Sequence, residues 1–167
     1  MLNKLPERVD FLKQVERKAG FEGTWPVPTF ERLAEAICSD RGEVSARLQF
    51  GTRAGIPCLD GRVKADLELR CERCLDPVVQ HIESAFRFGL VTADDEAELL
   101  PKEFEPLLVA GAEQSLLALV EDELLLSLPI VARHDEQCSE LLKKHKKDDE
   151  VQGDTHRPFA ALKDLMG

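Results

Sequence analysis

The sequence predicts an α+β protein: an antiparallel, barrel-like β-sheet with flanking helices and a flexible C-terminal tail. Three patterns carry this expectation. Val44, Ala46, Leu48 and Phe50 alternate with Ser45, Arg47 and Gln49, the period of a strand with one wet face. Val63, Ala65, Leu67 and Leu69 alternate in the same way with Lys64, Asp66, Glu68 and Arg70. Leu116, Val120 and Leu124 recur four apart within residues 113–127, which marks a helix. The sheet is expected to hold about five to seven strands, its open side covered by helices from the N-terminus and from 113–127.

Taken in order, residues 10–19 read as a short helix with Phe11, Leu12 and Val15 on one side and Gly20 at its end. Residues 21–27, apolar and bounded by prolines, read as an edge strand, with Trp25 as core or edge cover rather than a base-stacking platform. Thr29 is placed to cap a second helix over 30–38, whose Phe30, Leu33, Ala34 and Ile37 share a face. Asp60-Gly61 has the composition of a tight hairpin turn, since both residues tolerate positive φ. A Cys71-x-x-Cys74 turn ends the second alternating strand, and Asp76-Pro77 opens a long partner with Val78, Ile82, Phe86, Phe88 and Leu90 buried. The cysteine turn is thereby a hairpin tip. In the 113–127 helix, at about 100° per residue, Glu123 falls about 60° from Val120 on the apolar side, and Asp122 points away. A half-buried acid needs a cation or several donors, so Glu123 is expected to pair with Arg70 or Arg73.

Residues 1–142 form the expected folded domain. Residues 143–157 are charged, lack an apolar period and read as a disordered linker. Residues 158–167 restore an apolar motif, with Phe159, Leu162 and Leu165 on one face, suited to docking in cis or on a partner.

The 167 residues carry a net charge of −10, which argues against a protein that coats bare nucleic acid by counterion release. Ten acids against Lys102 alone fall in 91–126, while 41–88 holds eight bases against seven acids. An acidic lobe beside a mixed surface suits a basic protein partner, or RNA met on one face. The five cysteines lack disulfide-framework spacing, which fits a reduced, cytoplasmic protein. No apolar run approaches a membrane span and no secretory leader is evident, so a membrane partner is not expected.

Two sulfurs across one turn can grip a soft metal, cycle as a dithiol, or pack as small apolar groups. His134 and Cys138 follow the long helix and could complete a zinc set with Cys71 and Cys74. A dithiol enzyme would want its Cys-x-x-Cys at a helix N-terminus, and here it lies between strands. There is no phosphate-binding glycine loop, no nucleophile elbow and no paired histidines. No enzyme and no small-molecule substrate are expected. His81, His145 and His156 stand alone and read as solvated surface.

Leu69 to Val78 (LRCERCLDPV), Val120 to His134 (VEDELLLSLPIVARH) with Cys138 beyond, and Arg157 to Leu165 (RPFAALKDL) together resemble the YceD family of large ribosomal RNA accumulation proteins. Fainter likeness lies in 21–27 and in Arg32-Leu33. The resemblance implies a non-enzymatic role in synthesis, processing or stability of large-subunit ribosomal RNA during ribosome assembly. The family motif falls on Cys71, Arg73, Cys74, Leu75, Glu121, Asp122 and Glu123, and more loosely on His134 and Cys138. Three functional readings follow. The leading one is an assembly factor whose acidic surface holds a basic ribosomal protein or an rRNA-processing factor, with Arg70, Arg73 and Lys64 as a small RNA-facing patch. The alternatives are a zinc-stapled module that binds RNA directly, and a regulator of an RNA-processing enzyme acting through Phe159 and Leu162 of the tail.

Overall fold

A computed structural model describes residues 6, 8–109 and 113–138. The charged linker and the apolar tail motif expected at 143–157 and 158–167 lie outside the described residues. Contacts divide the chain after Arg133. The first unit holds every helix and strand named below. Of the second, residues 134–138 are described and contain neither.

Helix α1 spans Phe11–Glu16 and begins where Asp10 Oδ1 accepts the Lys13 N–H at 3.1 Å. It is shorter than the expected 10–19 because Lys18 turns left-handed, at φ 48°, and feeds Gly20 directly into a strand. That strand, β1 (Gly20–Pro26), is the expected edge, and Trp25 is buried in it opposite Val44. Helix α2 (Glu31–Ala36) follows a single 3-10 turn. Its N-terminal residue is Phe30, and Thr29 makes no capping hydrogen bond there. The cap comes from elsewhere in the chain, as described below.

Strands β2 (Glu43–Arg53), β3 (Ile56–Arg70) and β4 (Pro77–Val91) form an antiparallel meander. Val44, Ala46, Leu48 and Phe50 turn inward, as do Val63, Ala65, Leu67 and Leu69, and all are buried. The hairpin turn expected at Asp60-Gly61 sits instead at Ala54-Gly55, whose φ values of 51° and 84° are both left-handed. Asp60 and Gly61 lie inside β3, paired with Gln49 and Leu48. Gly61 is there for space: the Phe86 ring lies across it, and a Cβ would come within 2.0 Å of that ring. Asp60 is there for charge, bridging Arg53 at 3.0 Å and Arg87 at 2.6 Å. A glycine and an aspartate thus imitate a turn signal while serving side-chain packing and pairing.

After β4 the chain runs through α3 (Asp94–Glu98) to a four-residue strand, β5 (Glu105–Leu108), parallel to β4. The sheet order is β1-β2-β3-β4-β5. It is open, with β1 and β5 at its edges, so the α+β class and the largely antiparallel sheet stand and a closed barrel does not form among the described residues. Helix α4 (Leu116–Ser127) is capped by Ser115, which accepts the Ala118 N–H at 3.1 Å. Its fully buried Leu116, Val120 and Leu124 join Phe11, Leu33, Phe50 and the inner-face residues of the strands in one core. Each such aliphatic side chain contributes about 2 kcal/mol through burial. Among the described residues, α1, α2 and α4 join the core on that inner face. The outer face is covered near Gly89 by Leu100 and Phe104. Elsewhere it is solvent-exposed among the described residues, with Arg47, Arg62 and His81 all more than 60% exposed at the side chain.

Gly61→Ala is expected to cost about 1–3 kcal/mol by forcing the Phe86 ring off its seat. Urea denaturation would measure it, and an unchanged midpoint would show that the ring yields freely.

Candidate functional site

The Cys71–Asp76 turn joins the two longest strands and is closed by its own backbone. Cys71 N–H donates to Asp76 O and Leu75 N–H to Cys71 O, each at 2.9 Å. Leu75 adopts φ 67°, a left-handed turn that leaves its side chain 65% exposed. Arg73 N–H donates to Cys71 Sγ at 3.4 Å. Cys71 is fully buried and Cys74 partly so. Glu72 N–H donates to Ala132 O at 2.9 Å, and Gln80 Nε2 to Arg133 O at 3.5 Å. These bonds lay the chain that leaves α4 along the cysteine turn, two residues before His134. Among the described residues, Cys71, Cys74, His134 and Cys138 are the group that could hold a metal ion, their ligand atoms all within 4.8 Å of one another.

The other cysteines do not join this group. Burial, and then the charge of Asp60, pushes the Cys58 thiol up, which suits an unreactive packed sulfur. Cys38 is exposed.

The three acids of α4 divide their work. Glu121 accepts the backbone N–H groups of Arg32 at 2.7 Å and Leu33 at 3.1 Å, and so caps α2 from another helix. Its other oxygen takes Arg32 Nε at 2.8 Å, while Arg32 Nη1 reaches Asp122 at 2.6 Å. The side-chain hydrogen bonds to Asp122 and Glu121 raise the Arg32 pKa further. This buried carboxylate, at 7% exposure, is fully supplied with donors.

Glu123 is equally buried on the inner side, as its place on the helix requires. It does not pair with Arg70 or Arg73; among the described residues its carboxylate accepts from Ser84 Oγ, at 3.4 Å. Arg70 and Arg73 belong to the tip of the β3–β4 hairpin, whereas Ser84 lies seven residues into β4 from Pro77. That is about 23 Å along the strand, beyond an arginine's reach. Burial pushes the Glu123 pKa up, the nearby charges of Glu105 and Asp122 add to this, and the Ser84 hydrogen bond only partly offsets them.

Arg70 is exposed at the end of β3 opposite Pro77, and Arg73 is half-buried within the turn. Lys64 lies six residues before Arg70 on β3, about 20 Å away, so it does not share a patch with the tip. It pairs with Glu83 at 3.0 Å on the outer sheet face. Phe159 and Leu162 lie outside the described residues. Arg32 and Ser84 were not singled out as site residues from sequence. Only the faint likeness at Arg32-Leu33 pointed to the first, and nothing pointed to the second.

The site is thus a hairpin tip on an α+β sheet that bears two thiols, with an amide aimed at one sulfur and a histidine and third thiol in a group that could hold a metal ion. Comparison with known proteins then places the chain. Residues 59–166 match the family model described as "Large ribosomal RNA subunit accumulation protein YceD". The chain is also 33% identical over 140 residues to the protein of that name from Haemophilus influenzae, covering 83% of this chain and 80% of that one. The chain belongs to the YceD family. No solved structure matches it.

Glu121→Ala should destabilise the fold by about 1–2 kcal/mol, since it strips the α2 cap and leaves Arg32 to Asp122 alone. Chemical denaturation would show this, and a loss below the level of an ordinary surface substitution would refute the capping role. For Glu123 the sign is opposite. An acid whose pKa is raised by folding binds its proton more tightly in the native state, so it lowers stability as pH rises above its unfolded value of about 4.3. Glu123→Gln is therefore expected to stabilise the protein at pH 7, on the order of 1 kcal/mol, with the gain fading at acid pH. Melting temperatures of both forms across that range test it.

Proposed function

We propose that this protein is a non-enzymatic ribosome-assembly factor of the cytoplasm, supporting the synthesis, processing or stability of large-subunit ribosomal RNA. The name of the Haemophilus influenzae relative and of the family model supports the RNA it serves. The site supports the manner. The backbone of the turn is closed on itself, and its thiols share a group with one imidazole, the composition of a structural metal set. The observation that carries the reading is the cysteine turn, a closed, amide-braced tip that fits a rigid docking edge.

Three thiols and one imidazole are a structural zinc set, and they would bind zinc in four-coordinate, closed fashion with no open position for a substrate. Zinc would act there as a staple, holding Arg70, Arg73 and Leu75 at fixed positions on the tip. In the leading form of the proposal this edge, with the exposed acids of residues 91–126, docks a basic ribosomal protein or an rRNA-processing factor. The group around Cys71 also favours the second form, in which the stapled tip touches RNA through Arg70 and Arg73. Phe159 and Leu162 of the tail would add an apolar anchor to a partner.

Replacing the cellular copy by a Cys71→Ser/Cys74→Ser double variant is the direct test. The ratio of large- to small-subunit ribosomal RNA should fall, and elemental analysis of chelator-free protein should show zinc lost from the variant. An unchanged ratio with the wild-type protein fully replaced would overturn the proposal.

A further inference from the structure

The outer face of the sheet, which the site above does not use, has a charge balance unlike the rest of the chain. Arg47 on β2 and Arg62 on β3 are directly opposite each other in the register. Like charges so placed destabilise a strand pair. Neither is tightly compensated: Glu22 stands 3.7 Å from Arg47 and Glu83 3.9 Å from Arg62, while Glu83 gives its closer approach, 3.0 Å, to Lys64. Asp60 is likewise shared by two cations, Arg53 and Arg87. Five cations therefore meet three carboxylates across this strip, in a protein of net charge −10. Farther along, Asp66 is taken up by His81 at 2.8 Å.

The shape agrees with the charge. Gly23, Thr24, Ser45 and Ala46 line a shallow depression of about 240 Å³ together with Arg47, Arg62, Lys64 and one acid, Glu22. It shares Arg47 and Arg62 with a larger one of about 550 Å³ that reaches Arg87. The larger is also lined by Asp60, Glu103 and Glu105, so the cationic excess, three cations to one acid, belongs to the smaller depression over β2 and β3. Two guanidinium forks with free N–H donors, side by side over small residues, suit phosphate oxygens. No aromatic or large aliphatic side chain lines the smaller depression to anchor a protein partner or to stack a base.

We propose that the solvent-exposed part of the outer sheet face is a second interaction surface, which holds the phosphodiester backbone of single-stranded RNA across Arg47 and Arg62, with Lys64 beside them. The choice of RNA over an acidic protein rests on the functional reading above. The recognition is of phosphates, so it carries little sequence preference and weakens steeply with salt.

The test is binding of the full chain to fluorescent polyuridylate, by anisotropy over a series of salt concentrations. The wild type should bind, and Arg47→Gln/Arg62→Gln should bind about tenfold more weakly at low salt. The slope of log affinity against log salt should become shallower by about 1.4, about 0.7 for each phosphate no longer neutralised. Both side chains are exposed, so the variant should melt as the wild type does, and Arg47→Lys/Arg62→Lys should retain most of the salt slope. Equal binding by wild type and the glutamine variant would overturn the proposal, as would no binding by the wild type. Displacement of the RNA by polyglutamate at equal charge would overturn it in favour of an acidic protein. If the glutamine variant still maintained large-subunit ribosomal RNA in cells, this surface would be refuted while the assembly role through the cysteine turn stood.

Discussion

One carboxylate ties the helical layer together. Glu121 leaves α4, caps α2 through two backbone amides and clasps the Arg32 side chain with its second oxygen. A charge buried to this depth is tolerable because three donors divide it: two amides at the α2 N-terminus and a guanidinium. The bond spans 89 residues of sequence, so it fixes how α2 and α4 lie over the same strands. With α4 so fixed, Glu123 points inward to Ser84, Leu124 fills the core, and the segment after the helix runs to Ala132 beside the cysteine turn.

This arrangement explains why the acidic run of α4 is no simple partner-binding surface. Glu121 and Glu123 are both buried, and Asp122 is the half-exposed member. Glu121 and Asp122 share Arg32, whereas Glu123, among the described residues, has a hydroxyl and no cation. Two consecutive odd positions on a helix are 200° apart, so both can be buried only because α4 is covered on more than one side. The helix packs against the sheet on one side and against α2 on the other. Residues so placed act on the shape of the protein.

Much of the sheet was legible because alternation is a local signal. The inward positions of β2, β3 and β4 follow directly from it, as does the placement of the thiols at a hairpin tip. Asp60-Gly61 misled for a physical reason: composition shows that a residue is small or charged, and the reason here lies across the sheet in Phe86, Arg53 and Arg87. Strand β5 was silent because four residues, one of them proline, cannot display a period. The four ligand candidates were named from spacing alone. Glu123 was rightly turned inward by helical geometry, yet its partner was not, since angular position says nothing about which strand lies opposite. The cap on α2 was beyond reach, since nothing near Thr29 reports a carboxylate so distant in the chain.

The order of the strands also bears on how the protein emerges during synthesis. Each of β2 to β4 pairs with the strand just before it, so this ladder can zip up as soon as Val91 is clear of the exit tunnel. Its greasy side, however, waits for Leu116, Val120 and Leu124, which are made later. A half-born chain is thus a sheet whose inner side is covered only in part, by α1 and α2, a form that invites chaperones or aggregation until the last helix closes it.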